Sequence, residues 1–119
     1  QGKHAEALDK FTTALEIELK ALGPDHPDVG KSYANMGSIL CLQGKHAEAL
    51  DKLTTALEIQ LKALGPDHPN VATTYSNIGH VLVTQGKHAE ALDKHTAALK
   101  IQLKALGPDH ADVATTYSN

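Results

Sequence analysis

The chain has 119 residues, 41% of them hydrophobic and 21% charged, with a formal charge of -3 and a single cysteine. Its eleven basic and fourteen acidic residues are interspersed, so no basic stripe tracks a phosphate backbone and nucleic acid is not an expected partner. The apolar runs, such as Ser38–Leu42, fall far short of the roughly 20 residues that cross a bilayer, and no membrane role is expected; the lone Cys41 rules out an internal disulfide and fits a reducing, cytoplasmic setting.

Shifting the sequence by 42 residues lays it back on itself. Residues 1–42 match residues 43–84 at 30 of 42 positions, and residues 85–119 match the first 35 of that stretch at 30. The expected organisation is therefore one repeat array with units 1–42, 43–84 and a partial 85–119, out of register with the structural repeat. A period near forty with no strand-like segment reads as stacked helix pairs.

In chain order, Gln1-Gly2-Lys3 recurs as Gln43-Gly44-Lys45 and Gln85-Gly86-Lys87. Each triplet precedes a helical pattern, which puts its glycine at a corner where a positive φ costs little. Within His46–Leu64 the residues Leu50, Leu53, Leu57, Leu61 and Leu64 fall at steps of three and four, with Ala49, Ala56 and Ala63 forming a second line. This predicts one long helix that meets more than one neighbour, and copies of it over His4–Leu22 and His88–Leu106. Glu48–Lys52 and Glu58–Lys62 are expected as i,i+4 surface pairs. Leu64-Gly65-Pro66 ends the helix, and Asp67-His68-Pro69-Asn70 restarts the chain with Asp67 or His68 at the cap. Val71, Tyr75, Ile78 and Leu82 then mark a short helix over Val71–Thr84, matched by Val29–Leu42 and by a stub near Asp112–Asn119. Gly79, at the position of Gly37, is expected where a partner helix comes too close for a methyl group. Connections of four to six residues make successive helices antiparallel.

These residues resemble the tetratricopeptide repeat. Tyr75, Ile78, Gly79, Leu82, Gly86, Ala91 and Ala98 stand at its consensus spacing, as do Tyr33, Met36, Gly37, Leu40, Gly44, Ala49, Leu53 and Ala56 one repeat earlier. The 42-residue period and the recurring Ala-Leu-Gly-Pro-Asp-His segment look more specifically like kinesin light chain repeats. The resemblance implies an all-α, right-handed superhelix of antiparallel helix pairs, whose shorter helices line a concave groove for peptides or protein segments. It places Lys31, Ala34, Asn35, Ser38, Cys41 and Leu42 on that groove, then Thr73, Ser76, Asn77, His80, Val83 and Thr84, and then Thr115, Ser118 and Asn119.

The carboxamides of Asn35, Asn77 and Asn119 form a ladder that either holds the backbone of an extended peptide or bonds to neighbouring helices. Ten of the twelve differences between the first two units lie between Asp28/Asn70 and Leu42/Thr84, which fits a variable binding face on a held scaffold. The pattern departs from repeats that clamp a terminal carboxylate, because Lys31 is followed by Thr73 and Thr115 at the corresponding sites. The light-chain mode, in which tryptophan beside acidic residues is received, is what the resemblance leaves.

Six of the eight histidines are copies of two positions. Copies in stacked units lie about 10 Å apart, too far to share a zinc ion. His95 replaces Phe11 and Leu53 at an apolar position and is expected to be half-buried. Asp25, Asp67 and Asp109 are read as caps rather than acids. No nucleophile elbow, phosphate loop or metalloprotease pair is present, so no catalytic, cofactor or metal residue is nominated and no enzyme is expected. The leading expectation is a protein- or peptide-binding scaffold; the alternative is a structural spacer or self-assembling element. Phe11, Leu15 and Leu19 near one end, and Leu99, Leu103 and Leu106 near the other, remain apolar. They predict either a longer natural array or head-to-tail self-association.

Overall fold

The computed structural model describes residues 2–106, which form five helices: α1 (Gly2–Leu22), α2 (Pro27–Leu42), α3 (His46–Leu64), α4 (Pro69–Thr84) and α5 (His88–Leu106). The short helices begin two residues earlier than their hydrophobic stripes suggest, because Pro27 and Pro69 sit inside the first turn. Their fixed φ suits that position, and the missing N–H has no intrahelical partner to lose. The stub near Asp112–Asn119 lies outside the described residues, as does the side chain of Leu106.

Local chemistry sets the corners, which are shorter than the repeat spacing predicts. At Gln43–Lys45 the amide of Lys45 donates to Leu40 O at 2.9 Å and that of Gly44 to Cys41 O at 3.0 Å. The same pair of bonds recurs from Lys87 to Leu82 and from Gly86 to Val83. This closing motif needs a left-handed residue, and Gly44 and Gly86 supply it at φ +80° and +81°.

At the other corner the capping residue is histidine. Nδ1 of His26 accepts from Asp28 N at 3.1 Å, and Nδ1 of His68 accepts from Asn70 N at 3.0 Å. The reading of Asp25 and Asp67 as caps is thus corrected. Their carboxylates reach forward to the next long helix, Asp25 to Lys62 at 3.9 Å and Asp67 to Lys104 at 3.3 Å. Lys62 is accordingly turned towards a loop rather than held only along its own helix. Lys52 is likewise drawn over the Tyr33 ring at 5.8 Å, as Lys94 is over Tyr75 at 5.9 Å. A cation over an aromatic face is a favourable electrostatic contact that also buries the lysine stem.

The most extensive packing joins α2 to α3 and α4 to α5, with α1 on α2 and α3 on α4 as the lesser seams. Ala49, Ala56, Leu53, Val29 and Val71 are fully buried. The alanines let the backbones close up, whereas Ala63, expected in the same line, is exposed. Among the described residues the backbones of the short helices α2 and α4 also come close, while those of the long helices α1, α3 and α5 stay further apart from one another. Closer spacing on the short-helix side bends the stack towards that side, so the short helices form its inner wall.

The ends differ from expectation in detail. Leu15 is buried and Phe11 and Leu19 are half-buried, all packed with Val29, Met36 and Tyr33 of α2. The large apolar side chains left open on α1 are instead Ile17 and, at the last position of the helix, Leu22. At the other end Leu99 and Leu103 are half-buried and Leu92 is exposed. His95 is exposed rather than half-buried.

Candidate functional site

The inner wall carries a furrow between α2 and α4. Both helices start at a His-Pro cap and end at a glycine corner, so homologous positions lie side by side across it. Its first half is a cavity of about 250 Å³ lined by Lys31, Ala34, Asn35, Ser38, Gln60, Asn70, Thr73, Thr74 and Asn77. The second half is about 220 Å³ and is lined by Ser38, Cys41, Leu42, Leu53, Asn77, His80 and Val81. Ser38 and Asn77 border both, making the two cavities one path. Its chemistry is graded, from amides, hydroxyls and one ammonium to a stretch dominated by aliphatic carbon, where Leu42 is 70% exposed.

Nine of the groove residues expected from sequence are brought together here: Lys31, Ala34, Asn35, Ser38, Cys41, Leu42, Thr73, Asn77 and His80. Ser76 is half-buried and lines neither cavity. Thr84 is exposed past the end of the furrow, where its hydroxyl donates to His80 O at 3.1 Å. Asn119, with Thr115 and Ser118, lies outside the described residues. Thr73 also spends its hydroxyl locally, donating to Pro69 O at 3.2 Å. The carboxamides of Asn35 and Asn77 are half-buried and have no hydrogen-bond partner among the described residues. Sγ of Cys41 stands 3.9 Å from His46 Nδ1 at the apolar end.

Sequence reasoning missed Gln60, Thr74 and Asn70. Gln60 sits on a long helix, yet it reaches through to the furrow floor, where its Oε1 accepts from the Thr74 hydroxyl at 2.6 Å. One copy earlier the Ser32 hydroxyl donates to Glu18 Oε1 at 2.7 Å. The signal was present: positions 18/60 and 32/74 both differ between copies, and they are partners in space.

An all-α stack of antiparallel helix pairs, with short helices lining a concave furrow, defines a repeat scaffold rather than a closed-pocket protein. The tetratricopeptide repeat family model matches residues 1–60, 28–104 and 71–119, and the chain belongs to that family, whose repeats are generally protein-interaction scaffolds. Among solved structures, BtubC (BKLC) from P. vanneervenii superposes with a TM-score of 0.84 at 24% identity, over 98% of this chain and 46% of that one. A candidate kinesin light chain from Podosopora anserina with nearly identical TPR-like repeats gives 0.80 at 24%, over 96% and 54%. The chain thus spans about half the length of the solved structures it matches. At this identity the likeness concerns the fold. No curated protein matches the chain.

Proposed function

We propose that this repeat array is a non-enzymatic scaffold that receives an extended segment of another protein between α2 and α4. The observation that carries the reading is the pair Asn35 and Asn77, whose carboxamides flank an open furrow with no protein partner among the described residues. Each amide offers donors and an acceptor, so the pair suits a peptide backbone. From Lys31 to Leu42 the wall runs about 16 Å, room for about five extended residues. The apolar end at Cys41, Leu42 and Val81 accommodates a hydrophobic side chain, and His80 stands at its edge. A cytoplasmic setting accords with the free thiol of Cys41.

The test is selection of short peptides from a random display library on the wild-type chain, followed by titration against the Asn35→Ala/Asn77→Ala variant. Affinity is expected to fall by about tenfold or more. Equal binding by both proteins, or a library that yields no binder, would sink the reading.

A second reading, head-to-tail stacking of copies, has its own observation: Ile17 is 62% exposed, whereas its counterparts Ile59 and Ile101 are 8% and 6% exposed.

A further inference from the structure

The polar half of the furrow has a floor that the short helices do not supply alone. Gln60 of α3 is only 4% exposed, and Thr74 beside it 1%. The 2.6 Å contact between Gln60 Oε1 and Thr74 Oγ1 suits a hydroxyl donating to an oxygen, since an amide N–H···O bond usually spans about 2.9–3.0 Å. Thr74 Oγ1 also lies 3.1 Å from Asn70 O; its single proton goes to the nearer acceptor, Gln60 Oε1, the sense also seen in the preceding copy. There the acceptor of the Ser32 hydroxyl is the Glu18 carboxylate, which when ionised can only accept. With its oxygen held, the Gln60 amide turns its NH₂ group to the remaining space. Among the described residues Nε2 has no hydrogen-bond partner, and it is not one of the unpaired atoms sealed from solvent, which are the Oε1 atoms of Gln43 and Gln85.

We infer that Gln60 is a ligand-contacting residue whose Nε2 donates to a backbone carbonyl of the segment bound between α2 and α4. This rests on the groove-binding reading above and adds to it the polarity of the floor. Water can reach Nε2 in the open furrow, so an occupant that displaces this water must bring an acceptor in its place, or the donor is left unmet. The cavity lining contains no carboxylate, and its one cation, Lys31, is exposed at the rim. A ligand carboxylate drawn down to Gln60 would lose its hydration with no buried cation in return. A neutral peptide carbonyl gains a hydrogen bond without that loss. At the same level one copy earlier stands Glu18, an acceptor, so successive copies present opposite hydrogen-bonding polarity.

The test uses peptides obtained by the display selection described above, retaining those that depend on Asn35 and Asn77. Gln60→Glu keeps an acceptor for the Thr74 hydroxyl, as Glu18 does for Ser32, but sets a carboxylate at a site only 4% exposed, so the melting temperature is expected to fall while circular dichroism at the temperature of the binding assay shows the helices retained. The selected peptides should bind this variant about tenfold more weakly or worse, whereas Glu18→Gln should leave their affinity unchanged. Amide-to-ester replacement along the peptide, which weakens one carbonyl acceptor at a time, should find a position that matters for the wild-type chain and not for Gln60→Glu. Equal affinity for wild type and Gln60→Glu overturns the inference while groove binding stands. A loss with no ester position coupled to Gln60 overturns the backbone assignment. If no peptide depends on Asn35 and Asn77, the groove reading and this inference fall together.

Discussion

A methyl group built on Gly37 would stand 2.7 Å from Leu53 Cγ and 3.2 Å from Ala49 O. Leu53 is fully buried and Ala49 O is backbone, so neither can yield cheaply. At the homologous Gly79 the methyl would meet Nε2 of His95 at 2.7 Å, but His95 is exposed and its ring can swing away. Two glycines at one repeat position therefore have different tolerances. Gly→Ala in a helix interior gains up to about 1 kcal/mol of propensity, whereas overpacking a tight core costs about 1–3 kcal/mol. Gly37→Ala is expected to lower the urea midpoint, and Gly79→Ala to leave it unchanged or raise it. Equal losses at both sites would show that the backbone approach alone, and not the covering side chain, sets the requirement for glycine.

At the scale of elements, the two described seams between a long helix and the following short one are the lesser packed, and each carries one polar link: Glu18 with Ser32, which is part-buried, and Gln60 with Thr74, which is buried. Thr74→Val would leave Gln60 Oε1 without its donor in a site only 4% exposed, a loss of about 1–3 kcal/mol. Removing both partners, as Gln60→Leu/Thr74→Val, is expected to recover most of this, because no unmet group remains. Urea unfolding of the single and double variants measures the coupling; a double variant as unstable as the sum of the singles would mean that the bond does not hold the seam. The surface links between Asp25 and Lys62 and between Asp67 and Lys104 are exposed and contribute little by comparison.

This link also marks the limit of what the sequence discloses. The helices and their corners are legible because hydrophobic spacing, Gly-Pro breaks and the 42-residue period all report local geometry. Gln60 was not, because a polar residue on a long helix reads as solvent-facing until the short helix that covers it is placed. The histidine caps are half legible: the sequence narrows the cap to Asp67 or His68, and only the loop path decides which side chain turns back to the amide of Asn70. Lys52 and Lys62 misled for a related reason, since spacing along one helix ignores the Tyr33 ring and the Asp25 carboxylate presented from other elements.

In the whole molecule, the pattern repeated across the stack states what each face requires. Ile59 and Ile101 are buried where their helices meet a preceding short helix, Ile59 within a cluster containing Val29 and Met36. Ile17 holds the same repeat position on α1 and remains 62% exposed, beside a shallow cavity lined by Asp9, Lys10, Thr13 and Ala14. A short helix laid on that face would complete the packing already seen twice. If a second copy supplies it, the contact is heterologous and propagates instead of closing, so association should rise steadily with concentration. Burying an isoleucine side chain contributes about 1.5–3 kcal/mol, so Ile17→Lys should weaken each contact by about tenfold to a hundredfold. Sedimentation velocity across a concentration series decides the matter. Wild-type chain that stays monomeric at high concentration, or an Ile17→Lys variant that associates as strongly, would remove self-stacking as the use of this face.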